Sequence, residues 1–188
     1  MNGRTGTRTI VVAAAAALLL TAASLFGLAA LIPGGPFSRQ GAPGASACSS
    51  PSFAGPTVHV ALSDMGAGMM GGPRMRVGMR LWADTTSVPR GKVSFDVRNA
   101  GTLTHELVVL PLPDGQTAGT RAVGADGTVD ESASAGEASA NCAEGAGEGI
   151  LPGSSSWATL ELKPGRYELI CNLPGHYSAG MYTVLTVT

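Results

Sequence analysis

The chain has 188 residues and a formal net charge of −1, with 44% hydrophobic, 13% charged and 5% aromatic residues. That balance excludes a nucleic-acid binder, which needs a basic stripe to neutralise phosphates. Three histidines are too few for a multicopper oxidase, and three cysteines build neither a paired disulfide framework nor a four-cysteine zinc site.

Residues 1–9 carry Arg4 and Arg8 and no acid, and residues 10–32 then run 23 positions without a charge. As a helix this stretch would span about 34 Å, enough for a hydrocarbon core of ~30 Å. A cleaved signal usually has an apolar stretch of only about 7–15 residues, so length favours an uncleaved anchor. Nine alanines make the segment only mildly apolar, which leaves cleavage open. Either way residues 1–32 are a membrane anchor or signal, and the arginines keep the amino end cytoplasmic and send the remainder outward. Residues 33–56, rich in Pro, Gly, Ser and Ala without periodicity, read as a tether with a reach of about 27 Å. Lipidation of Cys48, in Ala45-Ser-Ala-Cys48, is disfavoured because the site lies 15 residues beyond the apolar run.

From Thr57 onward the signal is alternation with period two. Met75, Val77, Met79 and Leu81 alternate with Arg74, Arg76, Gly78 and Arg80; Val93, Phe95 and Val97 alternate with Ser94, Asp96 and Arg98. His105, Leu107 and Val109 share a face, as do Ala158, Leu160 and Leu162. After the turn at Lys163-Pro-Gly165 come Tyr167, Leu169 and Cys171, and Thr183, Leu185 and Val187 close the chain. The pattern predicts an all-β sandwich of seven to eight strands over residues 57–188, with no amphipathic helix, behind the apolar amino-terminal helix.

Residues 112–155 break the rhythm with many Gly, Ala and Ser, and six acids without a base fall between 126 and 148. They read as a solvated insertion between strands; an acidic face for a cationic partner is the alternative. Residues 74–98 hold six bases against Asp84 and Asp96, so the domain is expected to be electrically bipolar.

The chemistry concentrates in Cys171-Asn-Leu-Pro-Gly-His176-Tyr-Ser-Ala-Gly-Met181, where cysteine, histidine and methionine follow at spacings of five and five. His105 begins an apolar strand 66 residues earlier. One thiolate, two imidazoles and a thioether are the ligand set of a mononuclear blue copper site. Cu(I) favours soft sulfur and low coordination, whereas Cu(II) favours nitrogen and a tetragonal arrangement. A trigonal plane with a long axial thioether suits neither fully, so little has to move when one electron enters or leaves. Pro174-Gly175 allows the turn that returns His176 towards Cys171, and Gly180 lets the backbone approach before Met181. His59 has no partner at metal spacing and reads as an ordinary strand residue. Met75 and Met79 fit core packing; Met65, Met69 and Met70 lie in a Gly-rich loop, as an apolar docking surface or a second Cu(I) site. Cys48 and Cys142 are left over, as two thiols or as a disulfide tying the tether to the insertion.

On these residues the stretch 57–188 resembles the cupredoxins, the small blue copper proteins. The likeness is strongest at Asn99-Ala-Gly-Thr-Leu-Thr-His105-Glu-Leu-Val-Val and from Tyr167 to Met181. The five-and-five spacing is similar to the rusticyanin and auracyanin type, and Asp64-Met-Gly66 to sulfocyanin-like bacterial members. The resemblance implies a Greek-key β-sandwich with one type 1 copper ion held by His105, Cys171, His176 and Met181. It implies a non-enzymatic, monomeric, extracytoplasmic one-electron carrier, periplasmic or at the cell surface. The tether would hold it to the membrane, or it would be secreted after cleavage. His176 would present its ring edge to a redox partner such as a cytochrome or terminal oxidase, with no nucleic acid or small-molecule substrate. The alternative is a copper buffer or chaperone that hands Cu(I) to a partner. Glu106 departs from the family, where Asn or Ser often follows the first histidine and ties the two ligand loops together.

Overall fold

The computed structural model describes residues 48, 50–53, 55–64 and 78–188. The apolar segment 10–32, most of the tether, Met65, Met69, Met70 and Met75 lie outside the described residues. Among the described residues no helix is long and apolar enough to cross a membrane.

Nine strands form two sheets among the described residues. In chain order they are β1 (Thr57–Ser63), β2 (Arg80–Ala83), β3 (Ser87–Val88), β4 (Gly91–Asn99), β5 (Leu107–Pro111), β6 (Gly136–Ala138), β7 (Ser155–Leu162), β8 (Gly165–Ile170) and β9 (Tyr182–Val187). One sheet has the order β2-β1-β4-β7 and the other β3-β9-β8-β5-β6. The pairs β1–β4 and β3–β9 are parallel and the rest antiparallel.

The alternation does what it predicts. Val58, Val60 and Leu62 of β1 and Val93, Phe95 and Val97 of β4 are buried between the sheets, against Leu107, Val109, Leu169 and Leu185 of the facing sheet. Cys171 and Met181 belong to this same core. His59 is on the opposite face of β1, 60% exposed and 3.3 Å from Asp96, and is not part of the metal-ligating cluster found among the described residues.

Two features differ from the expectation of seven to eight strands with a solvated insertion. Strands β3 and β6 are too short, at two and three residues, to show an alternation. The insertion is not simply solvated: β6 hydrogen-bonds to β5, and Val129, Ser139 and Ile150 are buried. Its turns cover the outer face of β5 and β8, where Val108, Leu110, Val129, Ile170 and Tyr177 form a second small core. Consequently β5 is buried on both faces, and its run Leu-Val-Val-Leu is continuous rather than alternating. Cys48 and Cys142 form a disulfide, Cα–Cα 5.1 Å, which ties the chain ahead of β1 to the segment between β6 and β7.

Candidate metal centre

The loop 171–181 joins β8 to β9, the antiparallel neighbours that fix its two ends. Cys171 N–H donates to Met181 O at 3.0 Å, and Met181 N–H donates to His176 O at 3.2 Å, so the loop returns on itself. His176 N–H donates to Leu173 O at 2.9 Å, closing a turn with Pro174 second and Gly175 third. Gly175 has φ +83°, the left-handed value that a type II turn demands at this place. That turn brings the His176 ring back over the Cys171 sulfur. His105 arrives from the other side, bridging to Ile150 immediately before β5.

His105, Cys171 and His176 converge as one cluster. Cys171 Sγ lies 3.2 Å from His176 Nδ1 and 3.9 Å from His105 Nδ1, and the two Nδ1 atoms are 3.2 Å apart. Three donors placed trigonally around an ion, with bonds of about 2.0 Å to nitrogen and 2.3 Å to sulfur, would stand roughly 3.5 Å from one another. The observed separations bracket that value, so the donor set fits a single first-row metal ion. His105 and Cys171 are fully buried while His176 is 9% exposed, so only the second imidazole reaches towards solvent. Met181 is buried, its backbone bonded to both Cys171 and His176.

Burial keeps the cluster ready for a cation. It pushes the pKa of His105 down, with the neighbouring His176 adding to the effect, and lowers that of His176 as well. Both rings are therefore neutral donors at neutral pH. Burial also pushes the Cys171 thiol up to about 12, although the Glu106 N–H donates to its sulfur at 3.4 Å. A metal ion replacing that proton would relieve the thiolate's desolvation.

Glu106 ties the segment after His105 to the 171–181 loop: its Oε1 accepts the Asn172 N–H at 3.1 Å. Burial, with Glu131 and Glu137 nearby, raises its pKa to about 7. Asn172 then locks the loop to the insertion, accepting the Val129 N–H at 2.7 Å and donating to Val129 O at 2.9 Å. Gly175 N–H donates to Gly127 O at 2.9 Å. On the other flank Tyr177 O–H donates to Glu168 Oε1 at 3.0 Å and accepts the Arg121 N–H at 3.1 Å. Sequence reading assigned no role to Asn172, Arg121 or Glu168. Only adjacency to Cys171 marks Asn172, and nothing local marks the other two.

An all-β two-sheet sandwich with a buried His–Cys–His cluster at the β8–β9 loop is a cupredoxin-like architecture. Residues 85–188 match the family described as "Sulfocyanin (SoxE) domain", and the chain belongs to that family. No curated protein matches it. Among solved structures it is similar to dithionite-reduced auracyanin from Roseiflexus castenholzii, at 20% identity over 72% of this chain and 99% of that one, TM-score 0.46. It is also similar to rusticyanin from Thiobacillus ferrooxidans, at 19% identity over 72% of this chain and 80% of that one, TM-score 0.43.

Proposed function

We propose that the protein is a mononuclear type 1 copper protein acting as an extracytoplasmic one-electron carrier. The carrying observation is the buried cluster of one sulfur and two imidazole Nδ1 atoms with all three separations between 3.2 and 3.9 Å. His105, Cys171 and His176 would hold the ion, with Met181 contributing its thioether. The bound copper supplies the one-electron couple. The protein contributes a rigid frame: ladder-bound strand ends, the Glu106–Asn172 tie and the Tyr177–Glu168 anchor hold the donors where both oxidation states accept them. His176, the one ligand reaching the surface, is the exit for the electron, towards a redox protein docked over the loop. Leu173, Pro174 and Ala179 surround it with uncharged surface.

The Cys48–Cys142 disulfide supports an oxidising, extracytoplasmic location. Residues 1–32 anchor or export the chain, 33–56 tether it, and 57–188 form the copper domain, as a monomer.

The test is an absorption and EPR spectrum of the purified chain after Cu(II) addition, followed by voltammetry. An intense visible thiolate-to-copper band and a reversible one-electron wave are expected. A colourless Cu(I) complex that yields its metal to a chelator and shows no reversible wave would replace the carrier with a copper buffer or chaperone.

A further inference from the structure

One carboxylate stands behind the cluster. Asp64, the residue after β1, is buried, and its oxygens accept three bonds from the loop that leads into His105. Oδ1 accepts the Thr102 N–H at 2.5 Å; Oδ2 accepts the Thr102 O–H at 2.7 Å and the Leu103 N–H at 3.0 Å. These bonds hold the side chain in one orientation, with Oδ1 3.8 Å from His105 Nε2. That nitrogen is fully buried and, among the described residues, has no partner at hydrogen-bond distance; Asp64 is the acid it faces. The space between them is kept open by Gly101. A Cβ at this position would stand 2.1 Å from Asp64 Oδ1 and 3.0 Å from His105 Nε2. Gly101 is not among the glycines with positive φ, so it is room for the pair, not backbone conformation, that requires glycine.

We propose that Asp64 is the positioning residue for His105: its carboxylate keeps the ring proton on Nε2 and so leaves the Nδ1 lone pair aimed at Cys171 and His176. A ligating histidine whose far nitrogen faces a carboxylate is held in one tautomer and made a stronger donor. The electrostatic consequence rests on the copper reading above. With the Cys171 thiolate, a Cu(II) centre carries a net charge of +1 and a Cu(I) centre none. A buried negative charge behind His105 favours the oxidised form and lowers the reduction potential. The bonds from Thr102 and Leu103 prepay the orientation of the carboxylate, which among the described residues has no lysine or arginine partner.

Two measurements on the full chain test this. In the metal-free wild type, long-range 15N–1H correlation is expected to show His105 protonated at Nε2 and bare at Nδ1. An Nδ1-protonated ring overturns the proposal, and no variant has to fold for that answer. In the copper-loaded protein, Asp64→Asn keeps the shape and removes the charge. It is expected to raise the midpoint potential by a tenfold or greater change in Cu(I)-over-Cu(II) preference, about 59 mV for one electron. Thr102→Val removes one bond to Asp64 and leaves the charge, and is expected to shift the potential by much less. An unchanged or lowered potential in Asp64→Asn, or equal shifts in the two variants, overturns the proposal. A wild-type chain without a blue spectrum would overturn the copper reading instead, while the tautomer measurement would still decide the role of Asp64.

Discussion

Breaking the ion pair under the ligand loop gives the sharpest quantitative prediction. Glu168 is fully buried on the outer face of β8. Its Oε2 accepts from Arg121 Nε at 2.5 Å, and its Oε1 accepts from Gly119 N–H at 2.6 Å as well as from Tyr177. Two unit charges about 4 Å apart attract by about 4 kcal/mol at an effective dielectric constant of ~20. Removing one member of a buried pair costs about 3–5 kcal/mol because the other is left uncompensated. Arg121 is 18% exposed, so Arg121→Met is expected near the lower end, about 3 kcal/mol. Glu168→Leu removes the acceptor from the Gly119 and Tyr177 donors, at about 1–3 kcal/mol for each donor left unsatisfied. In the double variant no buried charge is left behind, so the loss should fall short of the sum by about 2 kcal/mol or more. Urea unfolding of the metal-free wild type, both single variants and the double variant measures the coupling. Losses that add to within about 0.5 kcal/mol would refute the claim that Arg121 holds the buried carboxylate.

Three further outcomes follow from the site. Cys171→Ser removes the soft donor, so the visible copper band should vanish; a variant that stays blue would require a different ligand set. Burial raises the folded-state pKa of Glu106 from its ordinary 4.5 to about 7, so its neutral form suits the fold. Its stability contribution is therefore present below pH 4.5 and lost as pH rises through 7, a difference of about 3 kcal/mol. Metal-free Glu106→Gln should lack this component, and parallel pH slopes of unfolding free energy for variant and wild type would count against it. Reducing the Cys48–Cys142 bond, which closes 94 residues of sequence separation, should lower stability by up to about 4–5 kcal/mol. A chemical denaturation midpoint that does not move with reductant would show that the bond spans parts already held in the unfolded chain.

The returning loop 171–181 was legible because its information is local. Cys171, His176 and Met181 lie within eleven residues, with Pro174 and Gly175 at the places a returning turn needs. The strands that position it were legible where one face is buried and the other wet, as in β4. The double burial of β5 was not, because it depends on where the insertion comes to rest: Val129 has to find Val108 and Leu110 across the sheet. Glu106 illustrates the same limit. As a residue type it contradicts the family habit, yet in space its longer carboxylate reaches the Asn172 amide and makes the same tie.

From the amino-acid order alone came the two-sheet class, the spacing of the three loop donors and the candidate set His105, Cys171, His176 and Met181. Periodicity and short-range turn chemistry act along the chain, and are written there. Folding alone decided what surrounds those donors. Asp64 meets the His105 ring across 41 positions, Arg121 meets Glu168 across 47, and Cys48 meets Cys142 across 94. Such contacts arise from sheet order and from how an irregular segment packs, and no local pattern of residues encodes which distant partner a buried charge will find.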